Sequence, residues 1–169
     1  RNSRRRRSGG VSAGDGGLSM SDLIRVQVQD FDVAAEYARL AGDATIGAVV
    51  MFVGRVRDIN PQPELIALEL EHYPKMTERA LSKIVMAARE RWPLDAVTLI
   101  HRVGAMHPSE QIVLVLTASA HRDAAYAANA YIMDYLKTEA PFWKKEVTST
   151  SSTWVDARES DQTARQRWE

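Results

Sequence analysis

The stretch Gly47 to Val56, GAVVMFVGRV, constrains the fold most, because a run so β-branched and apolar belongs in the centre of a sheet. Gly54 inside it predicts a bulge or a close backbone approach, and the chain emerges from the strand at Arg57. Leu23 to Val28 alternates, with Ile24, Val26 and Val28 on one face. A third strand follows the Pro-bearing loop 58–63, where Ile66, Leu68 and Leu70 alternate with Ala67, Glu69 and Glu71. Ala96 to Val103 and Gln111 to Ala118 read as a hairpin across the loop Gly104 to Glu110. Phe142 to Thr148 and Thr153 to Val155 read as two short strands around a Ser/Thr turn.

Helices separate these strands. Asp32 opens a short one, Val33 to Leu40, which stops near Gly42. Thr77 to Arg91 sets Leu81, Ile84, Val85 and Ala88 on one stripe and ends at Trp92-Pro93. Ser119 or His121 caps a long helix from Arg122 to Glu139, with Ala125, Ala128, Ile132, Tyr135 and Leu136 facing the core and Pro141 ending it. The order βαββαββαββ indicates an α+β fold with helices packed on a largely antiparallel sheet. At 169 residues and 45% hydrophobic composition there is material for one core, so residues 20–169 are expected to form a single domain.

Residues 1–19 differ in kind. Five arginines against Asp15 leave this stretch at +4, and since the chain is formally neutral the remainder carries −4. Such an Arg/Gly/Ser-rich stretch cannot bury enough apolar area to fold, and Met20 would make a natural start. The expectation is a disordered extension or an appended tail.

Cysteine is absent, which removes disulfides, thiolate metal sites and any mechanism using the protein's own sulfur as carrier. Sulfur chemistry here would need sulfur from a partner. The histidines His72, His101, His107 and His121 lack ligand spacing, so neither a metal nor a resident cofactor is expected. No apolar run is long enough to span a membrane or act as a secretory signal, and a cytoplasmic location is expected.

On the long helix a second face carries Arg122, Tyr126, Met133 and Lys137. Past Pro141-Phe142-Trp143 come Lys144 and Lys145, and the proline turn can bring an ammonium group back towards Lys137. Two lysines in one pocket repel, which favours proton transfer or the meeting of an anion. A lysine at a helix C-terminus also complements the macrodipole, and spacing alone leaves both readings open. Arg55 and Arg57, two apart on a strand, share one side. With His121, Arg122, Lys137, Lys144 and Arg158 they would suit a phosphate.

Five blocks in order, FVGRVRD from Phe52, LEHYPKMTERAL from Leu70, ASAHRDAA from Ala118, MDYLKTEAPFWKKE from Met133 and WVDARESD from Trp154, resemble the family of molybdopterin synthase catalytic (large) subunits. The resemblance runs from about Leu23 to Trp168. It implies an α/β hammerhead with an additional antiparallel β-sheet. It also implies a homodimer that binds a small ubiquitin-like sulfur-carrier subunit at each end, forming a heterotetramer. The carrier's Gly-Gly thiocarboxylate would donate sulfur to cyclic pyranopterin monophosphate (precursor Z), forming the dithiolene of molybdopterin in molybdenum cofactor biosynthesis. Lys137 matches the family's essential lysine and Lys144 its second active-site lysine. Arg57, His121, Arg122 and Arg158 match basic residues of the pterin and phosphate pocket, which draws on both dimer subunits. Phe52 and Met133 match apolar neighbours of that site, and Arg55 falls where the family varies. Two other classes compete: a lysine Schiff-base enzyme, and a nucleic-acid-binding module using the basic tail.

Overall fold

The computed structural model describes residues 21–58, 64–156 and 159–169. The basic tail and Arg158 lie outside the described residues. Two four-stranded sheets form the frame. The first holds β1 (Leu23–Gln27), β4 (Ala96–Arg102), β6 (Gln111–Ser119) and β2 (Ala48–Arg55) in the spatial order β1-β4-β6-β2. The second holds β5 (Gly104–Met106), β3 (Leu65–His72), β7 (Phe142–Thr148) and β8 (Ser152–Val155) in the order β5-β3-β7-β8. Every pairing is antiparallel except β1 with β4. Among the described residues four helices accompany them: α1 (Val33–Ala38), α2 (Pro74–Arg91), α3 (Arg122–Glu139) and α4 (Glu159–Gln166). The α+β expectation holds.

The expectation for Gly47 to Val56 is corrected. β2 lies at the edge of its sheet, paired on one side to β6, not at the centre. Its apolarity has another cause. Val49 and Val53 pack with Phe31, Ile100, Leu114 and Leu116 on one face, while α3 covers part of the other. Apolar residues on both faces report that both faces are covered and say nothing about which edges are paired. Met51 and Phe52 stay 43% and 38% exposed. Gly54 does mark a bulge, since the β2–β6 register shifts between Gly54 and Arg55, and an added Cβ would stand 2.7 Å from Val113 Cγ1.

A second correction concerns β3. A register shift between Leu65 and Ala67 turns Ile66 out to 46% exposure and buries Leu65 and Ala67. The alternation predicted from Ile66 onward therefore starts at Leu68. The predicted loop after Val103 also contains structure: Gly104, at φ +84°, turns the chain out of the first sheet so that β5 can join the second.

The core sits where α2 and α3 cover the first sheet. Leu81, Ile84, Val85 and Ala88 of α2 meet Ala128, Ile132 and Leu136 of α3 over Val97, Leu99 and Val115, as the helical stripes predict. Two polar devices fix the layers. Asn129 donates to Val50 O at 3.2 Å and Val115 O at 3.1 Å, tying α3 to both β2 and β6. Arg89 grips Asp22 with two donors at 2.7 and 2.5 Å, and Asp22 also accepts from Val97 N at 2.9 Å. This joins α2, β4 and the segment before β1. Among the described residues no helix is long and apolar enough to cross a membrane.

Candidate active site

Where the two sheets diverge beside the C-terminal end of α3, they leave a cleft of about 550 Å³. β2 contributes Phe52, Gly54 and Arg55, with Arg57 just beyond it. α3 contributes Met133, Leu136 and Lys137. The last turn of α3 stops at Ala140, whose carbonyl accepts from Phe142 N at 2.8 Å, and the chain reverses through Pro141 into β7. Strand alternation then sends Phe142, Lys144 and Glu146 to the cleft and Trp143 and Lys145 to the far face. Lys137 and Lys144 thus share one wall system although β7 runs in the second sheet.

Of the eight residues expected at the site, five meet here: Phe52, Arg57, Met133, Lys137 and Lys144. Arg158 lies outside the described residues. His121 and Arg122 are elsewhere in the chain. His121 is the N-cap residue of α3 and Arg122 begins it, with a side chain 83% exposed. The fifteen steps of helix from Arg122 to Lys137 separate them by roughly 22 Å. The predicted face Arg122, Tyr126, Met133, Lys137 is therefore divided: its C-terminal half lines the cleft and Tyr126 is 64% exposed. A strip four turns long exceeds the reach of a pocket this size.

The cleft is less basic than expected. Lys144 Nζ stands 3.5 Å from Glu146 Oε1, both about one-third exposed. Asp156 and Asp161 add further carboxylates. Glu146 follows from the period-2 alternation that places Phe142 and Lys144, and that signal was available in the sequence. Arg55 donates through Nε to Ser109 O at 2.8 Å and is thereby tied to the β5–β6 connection. Lys145, behind the sheet, pairs with Glu69 at 3.2 Å and stands 5.8 Å from the Trp154 ring.

His101, at the end of β4, was not expected here. It is 7% exposed yet lines the cleft, and it stacks on Phe142 with centroids 4.0 Å apart and planes at 18°. Burial pushes its pKa down to about 4; the bond to Arg102 O works against this, while Lys137 and His72 push the same way. Its place in an all-buried strand gives no local signal of a site.

α4 closes the cleft from the side. Ser160 and Asp161 at its start line the cavity. Arg165 reaches Glu139 at 3.1 Å, and Trp168 just beyond the helix donates to Asp134 at 2.6 Å and packs edge-on against Trp92 and Tyr131. The C-terminal segment is thus anchored on α3.

Comparison with known proteins places this arrangement. The family described as "MoaE protein" matches residues 26–139. A molybdopterin synthase catalytic subunit of Vibrio cholerae is 56% identical over 150 residues, covering 89% of this chain and all of that protein. Among solved structures, the molybdopterin biosynthesis MoaE protein from Burkholderia ambifaria aligns with a TM-score of 0.75 at 51% identity, covering 87% of this chain and 97% of that one. Molybdopterin synthase from Staphylococcus aureus aligns with a TM-score of 0.73 at 31% identity, covering 79% of this chain and 96% of that one. With a family match over most of its length and relatives spanned end to end, the chain belongs to the MoaE family, that of the molybdopterin synthase catalytic subunits.

Proposed function

We propose that this chain is the sulfur-transferring subunit of a molybdopterin synthase. In this reading it takes sulfur from the C-terminal thiocarboxylate of a small ubiquitin-like carrier and places it on cyclic pyranopterin monophosphate, forming the dithiolene of molybdopterin in the cytoplasm. The observation that carries the reading is the meeting of Lys137 and Lys144 in one cleft, with Arg57 on its wall and apolar Phe52 and Met133 beside them. The absence of cysteine fits a chain that borrows its sulfur.

The chemistry follows from charge. The carrier's thiocarboxylate is already a good nucleophile, so the cleft's tasks are to hold it against the substrate and offset its charge. Lys137 and Lys144 supply the ammonium groups. The thiocarboxylate sulfur attacks an electrophilic carbon of the pterin, forming a C–S bond. As oxygen leaves that carbon, a lysine ammonium supplies the proton. Water then cleaves the carrier's acyl–sulfur bond, releasing the carrier as a carboxylate and leaving the sulfur on the pterin. A second carrier repeats the sequence. Guanidinium groups hold the phosphate: Arg57 from this chain, and Arg122 with His121 from a second copy across a homodimer, with Arg158 assigned to the same task on the family resemblance. The dimer with one carrier at each end makes the heterotetramer.

The test is incubation of the full chain with thiocarboxylated carrier and cyclic pyranopterin monophosphate. Dithiolene product at two sulfurs per pterin supports the reading, and absence of product with well-folded components refutes it.

A further inference from the structure

A sheet edge carries unpaired N–H and C=O groups, and proteins keep such edges short, charged, bulged or covered. Among the described residues the two sheets end on β1, β2, β5 and β8. β5 has three residues, β8 has four, and β1 carries Arg25 in the middle of its five. β2 has none of these protections along most of its length. It runs for eight residues, holds neither charge nor proline from Ala48 to Gly54, and bulges only at its end, between Gly54 and Arg55. Met51 and Phe52 at its middle point to opposite faces, and both stand exposed.

The main chain of β2 has groups to offer along this edge. Asn129 Nδ2 reaches Val50 O and Val115 O together, so both carbonyls point into the gap between β2 and β6. Main-chain groups alternate in direction along a strand, which turns those of Val49, Met51 and Val53 outward. Among the described residues no strand pairs with them.

β2 and α3 also run side by side in the same direction. At their beginnings Gly47 N donates to Ser119 O at 3.1 Å, and a Cβ on Gly47 would stand 2.3 Å from Ala120 O. At their ends Arg55 and Lys137 line one cleft. Seven strand steps from Ala48 to Arg55 span roughly 24 Å, close to the roughly 22 Å of helix between Arg122 and Lys137.

We propose that β2 pairs antiparallel with β2 of a second copy, about a two-fold axis normal to the sheet at Met51 or Phe52, so that the first sheet continues across the dimer. Such an axis reverses the strand and sets Ala48 of one copy beside Gly54 to Val56 of the other. It leaves the faces of the sheet unchanged, so α3 of the second copy lies on the face that holds the cleft. The start of that helix, with His121 and Arg122, is carried along β2 by the length of the strand and arrives at the cleft end. Tyr126, one turn further along α3 and 64% exposed, comes with it. Another copy of this chain is the occupant that brings Arg122 to the cleft; a carrier added at the same edge would leave Arg122 a helix length away. The use made of Arg122 rests on the sulfur-transfer reading, whereas the strand pairing does not.

The absence of cysteine makes the test clean. Residues opposite each other in an antiparallel pair have Cα atoms about 4.5–5.5 Å apart, within disulfide range. Full-length Met51→Cys and Phe52→Cys chains, without carrier or pterin, are oxidised mildly beside Tyr73→Cys, an exposed position on the second sheet. Whichever of the first two lies on the axis should form a disulfide-linked dimer, and Tyr73→Cys should stay unlinked. No linkage at either β2 position, equal linkage at all three, or a monomeric wild type whose β2 cysteines link only to added carrier overturns the proposal. Met51→Lys places an ammonium group on each side of the axis and should raise the dimer dissociation constant in sedimentation about a hundredfold or more; an unchanged constant overturns the pairing. If Met51→Lys fails to fold, the cysteine variants decide. A wild type that links through β2 and makes no dithiolene product sinks the sulfur-transfer reading and leaves the interface standing.

Discussion

Mixed dimers offer a quantitative test of how the site is assembled. Arg122 and Lys137 sit near opposite ends of α3, roughly 22 Å apart by helical rise, whereas a cleft of about 550 Å³ is roughly 10 Å across if taken as a sphere. One chain therefore cannot place both residues on one substrate, and under the proposed assembly a symmetric dimer would do so by lending the start of α3 from one copy to the cleft of the other. Lys137→Ala and Arg122→Ala dimers should each be nearly inactive, because every site in them lacks one group. Random reassortment of equal amounts makes half of the dimers mixed, and each mixed dimer has one complete site and one doubly damaged site. The mixture should recover about a quarter of wild-type activity per chain. The assay is dithiolene formation from thiocarboxylated carrier, with native mass spectrometry to verify exchange. A fully exchanged mixture as inactive as its parents would refute assembly across the dimer, and a fully active Arg122→Ala dimer would remove Arg122 from the site.

Other perturbations probe the frame. Arg89→Ala removes the paired donors from Asp22, whose side chain is 1% exposed, and should lower stability by about 3–5 kcal/mol in urea denaturation; a change near zero would show the clamp to be idle. Gly47→Ala would put a Cβ 2.3 Å from Ala120 O, a clash between two main chains, and should cost about 1–3 kcal/mol while disturbing the start of α3. His101 has a folded-state pKa of about 4, below its ordinary 6.5, so the unfolded chain binds the extra proton first. Its contribution is fully present above pH 6.5 and is lost as pH falls towards 4, amounting to about 3 kcal/mol. The loss of stability between pH 6.5 and 4 should be smaller by about that amount in His101→Gln, and equal slopes for the two proteins would contradict the assignment.

Much of the frame is legible in the sequence because periodicity reports which faces are covered. The stripes Leu81, Ile84, Val85, Ala88 and Ala125, Ala128, Ile132, Leu136 are buried in α2 and α3 as read, while Tyr135, read into the second stripe, is half-buried. Pairing is not encoded in the same way. β2 looks central and lies at an edge, and β5 leaves one sheet for the other through a single positive-φ glycine at Gly104. α4 is too polar to announce itself, since its hold on the body comes through Arg165 to Glu139 and through Trp168 just after it. At the site, MDYLKTEAPFWKKE taken alone reads as a helix end with dipole-matching lysines. The Pro141 reversal turns it into two walls of one cleft. The separation of Arg122 from Lys137 was countable along the helix, whereas the arrival of His101 in the cleft, stacked on Phe142, depends on β4 and β7 meeting in three dimensions.

The measurement closest to the central claim is a single turnover of thiocarboxylated carrier with bound cyclic pyranopterin monophosphate, comparing the wild-type chain with Lys137→Ala by mass spectrometry of the carrier. The wild type should convert the carrier's thiocarboxylate to carboxylate in step with sulfur appearing on the pterin. Lys137→Ala should fold, bind carrier equally well, and leave the thiocarboxylate intact. Near-normal conversion by Lys137→Ala would contradict the account, because the cleft would then transfer sulfur without the group around which it is arranged.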